Sequence, residues 1–163
     1  MSTKGNNAHG VTAGLIAVPG ITDSVKQNGS IITKGDDAYG AFAQNAAELD
    51  ISGSIQTFGD ASHAAVIDGA KLRIDNLSVK TEGNDALGLY AKAGASIAGQ
   101  GDITTQGGHA HGIVVESGSV VNLDNTTIKT YGASADGASV NKGALTLANG
   151  AISTNAHGIA VTD

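Results

Sequence analysis

A threonine followed two residues later by glycine recurs along this chain at a nearly fixed interval, and that recurrence restricts the possible folds more than any other feature. The threonines are Thr3, Thr33, Thr57, Thr81, Thr105, Thr130 and Thr154, at intervals of 30, 24, 24, 24, 25 and 24 residues. In the first six copies the glycine is Gly5, Gly35, Gly59, Gly83, Gly107 or Gly132. Five positions after the threonine stands Ala8, Ala38, Ala86, Ala110 or Ala135, with Ser62 as the substitute. Seven after it stands Gly10, Gly40, Gly88, Gly112 or Gly137, with Ala64 as the exception, and the shortened seventh copy keeps Ala156-His157-Gly158. A repeat of this length is one supersecondary unit, and a run of such units is a solenoid.

Within each unit the apolar residues alternate. Ile31, Ile55, Val79, Ile103, Ile128 or Ile152 lies two before the threonine. Pairs one residue apart follow the second glycine, such as Leu89/Ala91 and Ile113/Val115, and others fall midway, such as Leu49/Ile51 and Val121/Leu123. A period of two means short strands with one buried face, separated here by Gly, Asn and Asp turns. No unit carries enough apolar surface to bury that face alone. Stacked on its neighbours, each strand pairs with its equivalent one turn later, roughly 4.8 Å along the axis. The expected fold is therefore all-β: a right-handed parallel β-helix, the hand following the bias of parallel crossovers. It has six to seven coils of about 24 residues with three short strands per coil. Residues 1–163 form a single repeat domain, interrupted by an insertion at about residues 14–24 that contains Ala17 to Ser24. The recurrent threonine shares the inward face of the Ile before it, so its hydroxyl is expected to bond backbone at an inner corner. The glycine two later is expected to supply a positive φ there.

Composition agrees with a narrow interior. Aromatic residues are 3%, tryptophan is absent, and 24 of 163 residues are glycine against one proline. Apolar residues at 40% and charged ones at 15% are the reverse of a disordered profile. A net charge of −6, with Arg73 the only arginine, excludes a nucleic-acid backbone as partner. The longest mostly apolar run, Val11 to Val18, is too short for a membrane-spanning helix, and no signal-peptide pattern follows Met1.

The copies "ITTQGGHAHGIVV", "VKTEGNDALGLYA" and "IKTYGASADGASV" resemble passenger repeats of bacterial autotransporters of the pertactin/AIDA kind, and the resemblance covers Thr3 to Thr162. It implies export through the outer membrane by a C-terminal β-barrel and display at the cell surface. This chain contains no such barrel, so any outer-membrane association would come through sequence beyond it. The function implied is a non-catalytic structural or adhesive segment; the alternative is a β-helix that polymerises end to end. Expected partners are other β-helix coils of the same or a neighbouring chain, and a host-surface protein or glycan.

Candidate chemistry is sparse. His9, His63, His111 and His157 occupy the position between the alanine and the second glycine, and Tyr39, Leu87 and Asp136 occupy it in the intervening units. This row is the candidate surface-contact row, its members expected as solvent-facing turn residues. Histidines on alternate coils lie too far apart to share a metal, and His109 with His111 lacks a third ligand. The acidic turns Asp36-Asp37, Asp60 and Asn84-Asp85 give way to Gly108-His109 and Ala133-Ser134, which breaks any calcium column, and turn-forming Asx residues account for them. No paired carboxylates stand at catalytic spacing. No catalytic residue, cofactor or metal is expected.

Overall fold

The computed structural model describes residues 1–16 and 20–162; Ala17, Val18 and Pro19 of the expected insertion lie outside the described residues, as does Asp163. Its strands, in chain order, are β1 (Ser2–Thr3), β2 (Val11–Ala13), β3 (Ser24–Thr33), β4 (Ala41–Gln44), β5 (Glu48–Thr57), β6 (Ala65–Asp68), β7 (Lys71–Thr81) and β8 (Leu89–Lys92). They continue as β9 (Ser96–Thr105), β10 (Ile113–Glu116), β11 (Val120–Asp124), β12 (Thr127–Thr130), β13 (Ala138–Asn141), β14 (Ala144–Ala148), β15 (Ala151–Thr154) and β16 (Ile159–Thr162). The short strands β2, β4, β6, β8, β10, β13 and β16 form one seven-stranded sheet, each beside its equivalent from the next coil. The remaining strands form a nine-stranded sheet. Every pairing is parallel and, apart from bulges at Ser52/Ser54 and Ile74/Leu77, in repeat register: Ile55 faces Val79, which faces Ile103, and Thr57, Thr81 and Thr105 do the same. The chain is a parallel β-helix of about six turns.

The expectation of three short strands per coil holds only in the later coils. In β3, β5, β7 and β9 the second and third segments are fused into single strands of 10 or 11 residues. Gly29 and Gly53 explain the first two fusions. Their φ angles of 104° and 99° bend the backbone while they remain paired with each other in the ladder. In β7 the bend falls on Asn76, at φ 49°, and the strand continues through a bulge, whereas at Asn125, φ 46°, β11 and β12 are separate.

The inward columns are closed to solvent. Ile31, Ile55, Val79, Ile103 and Ile128 are buried, as are Leu49, Leu72, Ile97 and Val121 on the neighbouring segment and Leu89, Ile113 and Ala138 on the short-strand sheet. Each large aliphatic side chain so buried contributes about 1.5–3 kcal/mol, which offsets the ordering of a Gly-rich backbone. The threonine column is buried with them: Thr33, Thr57, Thr81 and Thr105 are 0% exposed. As expected, these hydroxyls bond backbone at the corner. Thr3, Thr81 and Thr130 donate to the carbonyls of Ala8, Ala86 and Ala135 at 2.6 Å, and Thr105 donates to that of Ala110. Thr33 and Thr57 are the buried exceptions without a partner. In the coil after Thr57 the alanine is replaced by Ser62, whose hydroxyl instead donates to Gly35 O at 2.7 Å and accepts from Ala38 N at 3.0 Å.

The glycine two after the threonine has a different role from the one expected. Among these glycines only Gly5 has positive φ. A Cβ on Gly107 would instead collide with the carbonyl of Gly83, and one on Gly83 with that of Gly59. The column is glycine because successive backbones approach too closely for a side chain. The left-handed corner falls two residues later, on Asn7, Asp37, Ala61, Asp85, His109 and Ser134, with φ between 50° and 58°.

A second glycine column meets the core. A Cβ on Gly88 would strike Cγ2 of Ile103, and one on Gly112 would strike Cγ2 of Ile128. In the one coil where this position is Ala64, the matching isoleucine is Val79. Valine lacks only the δ methyl of isoleucine, so the shorter side chain compensates the Ala64 methyl in volume rather than by removing the Cγ2 contact itself. Val79→Ile alone is therefore expected to cost about 1 kcal/mol by overpacking, and Ala64→Gly with Val79→Ile to recover most of it. Urea denaturation of both single variants and the pair checks this; strict additivity would contradict it.

Candidate functional site: the histidine row and the turn ladders

The row expected to face solvent lies at the turn leading into the short-strand sheet, and it is more ordered than a contact surface requires. Because each row residue sits one coil from the next, a side chain can reach the backbone of its neighbour. His9 Nδ1 accepts from Tyr39 N at 3.0 Å, His63 Nδ1 from Leu87 N at 3.1 Å, and His111 Nδ1 from Asp136 N at 2.9 Å. Asp136 continues the pattern, its Oδ1 accepting from His157 N at 3.0 Å. An accepting Nδ1 fixes the neutral tautomer with its proton on Nε2. The alternation of histidine with other residues follows: a histidine of one coil caps the N–H of the next.

The rings also stack. His9 and Tyr39 lie 4.7 Å apart with planes 13° from parallel, and Tyr39 and His63 lie 5.1 Å apart at 12°. Phe42 and Tyr90, from the outward face of β4 and β8, close the cluster edge-on against Tyr39 and His63. His9, Tyr39 and His63 are consequently half-buried. The expectation of plain solvent-facing turn residues is corrected for them by stacking and by the Nδ1 bonds, and for the half-buried His111 by its Nδ1 bond, while His157 remains exposed. Leu87 interrupts the ring column, and beyond it His111, Asp136 and His157 form a polar end, with Asp136 Oδ1 2.9 Å from His157 Nδ1.

The acidic turns build a parallel ladder. Asn6 Oδ1 accepts from Asp36 N at 3.1 Å, Asp36 Oδ1 from Asp60 N at 3.0 Å, Asp60 Oδ1 from Asn84 N at 2.8 Å, and Asn84 Oδ1 from Gly108 N at 3.0 Å. These oxygens act between coils, where the sequence suggested turns closed within one coil. Among the described residues no group of three His, Cys, Asp or Glu side chains is placed to hold a metal ion. His109 and His111, neighbours in sequence, each face a different carboxylate, Asp85 and Asp136.

Burial sets the electrostatics. Desolvation lowers the pKa of His9 and lowers that of His63 to about 4, against an opposing pull from Asp37 and Asp85. Burial and the hydrogen bond to Glu116 raise the Tyr90 hydroxyl to about 12. For His63 the folded value lies below the unfolded one, so the folded state favours the neutral ring. Its contribution is complete above about pH 6.5 and is lost as pH falls toward 4, because the unfolded chain takes up the proton first. About 3 kcal/mol is the upper bound on that loss. Melting temperature is expected to fall from pH 6.5 to pH 5 more steeply in the native chain than in His63→Leu. Equal slopes would contradict the assignment.

Compared with protein-family models, curated proteins and solved structures, the chain finds no match.

Proposed function

We propose that this chain is a surface-displayed structural and adhesive segment of a bacterial autotransporter passenger, without catalytic activity. The observation that supports it most is the in-register stack itself: a continuous inter-coil side-chain ladder runs along the turns from Asn6 to Gly108, and His9, His63, His111 and Asp136 each cap an N–H of the next coil. Such a stack makes a stiff rod that offers length and lateral faces, and the repeats that build it resemble passenger repeats. The test is to fuse the chain between a signal peptide and an outer-membrane translocating barrel and to express the fusion in a Gram-negative host. It is expected to reach the surface folded, accessible to antibody and resistant to added protease. Retention in the periplasm, while an unrelated passenger on the same barrel is displayed, would overturn the reading.

One observation favours the alternative of end-to-end assembly. Ile159 and Val161 of β16 are 51% and 69% exposed, although their register partners Ala138 and Val140 are buried. That surface suits a further coil, from the same longer chain or from a neighbouring one. Sedimentation at two concentrations distinguishes them: growth in size with concentration supports assembly, and a constant monomer removes it.

A further inference from the structure

The long segments of the coils are bent, and their bends, from β3 to β14, align into a groove of about 970 Å³ running along the helix axis. Two columns of outward side chains line it. In the first, Lys26, Asp50, Arg73, Ala98, Asn122 and Thr146 are direct register neighbours. The second includes Asn28, Ser52, Asp75, Gln100 and Asp124. Lys26, Asp50, Arg73 and Asn122 make no side-chain hydrogen bond with another described residue, and the groove charges form no ion pair with one another. Between Arg73 and Asn122 the column drops to the methyl group of the exposed Ala98, which leaves a notch with a donor on either side. Free polar groups thus repeat along a concave track at the coil spacing, roughly 4.8 Å.

We propose that this groove binds a neutral, extended polysaccharide, with one sugar ring per coil. Three features select that ligand class. The coil spacing is close to the advance of one sugar residue in an extended chain, so each ring can sit over one coil, with equivalent hydroxyls of an alternately turned β-1,4 chain recurring at every second coil. An extended peptide presents same-face side chains every 6.8 Å or so and falls out of step with the coils within one or two of them. It also cannot add as a strand, because the groove is a sheet face whose backbone groups are already used in the parallel ladders. Charge selects against a polyanion: Asp50, Asp75 and Asp124 outnumber Lys26 and Arg73. The inference gives the adhesive reading a ligand class and rests on that reading for its setting at a cell surface.

The test is titration of the isotope-labelled full chain, followed by amide shifts, with hexamers of β-1,4-linked glucose, mannose and xylose. A polyuronate hexamer and a decapeptide of alternating threonine and serine serve as the other arms. At least one neutral hexamer is expected to shift the amides of Asp50, Arg73, Ala98 and Asn122. Arg73→Ala and Asn122→Ala should each weaken it by about tenfold, with unchanged melting temperature. Tyr131→Ala, outside the groove, should leave binding as it was. No shift with any neutral hexamer, shifts confined to the aromatic face, or preference for the polyuronate or the peptide would each overturn the proposal. Sugar binding by a chain that fails surface display would remove the proposed function and keep the groove; display without sugar binding would do the reverse.

Discussion

Ile103→Asp is expected to abolish cooperative folding of the central coils. Ile103 is 1% exposed, lies between Val79 and Ile128 in the inward column, and has Cγ2 packed beneath Gly88. The substitution removes a buried aliphatic side chain and places a carboxylate where no cation or donor can reach it. Together these cost about 5 kcal/mol or more, comparable with the whole stability of an ordinary domain. Circular dichroism and amide exchange should show β7, β9 and β12 open, whereas Tyr131→Ala, at a residue 57% exposed, should melt like the native chain. Similar losses for the two would mean that the inward face is misassigned.

The second large effect needs only one methyl group. Gly107→Ala puts a Cβ into the Gly83 carbonyl oxygen, and because that obstacle is backbone, no rotamer change relieves it. The coils must separate locally, which loosens the adjacent Thr105 corner; about 3 kcal/mol is expected. Gly158→Ala is the matched control, since a Cβ there meets nothing within 4 Å and should change stability by less than about 1 kcal/mol. Denaturant midpoints for the two variants decide the matter, and a mild Gly107→Ala would show that the coils are farther apart than the glycine column implies.

Much of this architecture is readable from residue order, for a physical reason. A parallel stack repeats the same environment every coil, so the side chains that fill it repeat too, and Ile103, Thr105 and Gly107 name their own columns. What escapes is whatever different side chains can satisfy equally. The left-handed corner holds Asn7, Asp37, Ala61, Asp85, His109 and Ser134, which share a backbone conformation and no side-chain type. The glycine column misled for a related reason: glycine serves close approach and positive φ alike, and only inter-coil distance separates the two. The histidine alternation was visible in sequence, but its meaning depends on a rotamer that turns Nδ1 toward the next coil. Fusion of the strands in the long segments has no single residue signature, since Asn76 sits inside the continuous β7 and Asn125 between β11 and β12, and the groove crosses both kinds of segment. None of these has a signature in hydrophobic period.

The central claim is that each 24-residue unit, as from Thr81 to its partner Thr105, is one coil stacked in register. The most direct measurement is a deletion series followed by circular dichroism and amide exchange. Removing residues 81–104 joins Lys80 to Thr105 and closes the stack with the same columns, so the shortened chain is expected to stay β-rich and cooperative with a modestly lower melting temperature. Removing only residues 81–92 sets inward columns against turns and should unfold the chain. Equal disruption by both deletions would contradict the stacked-coil account.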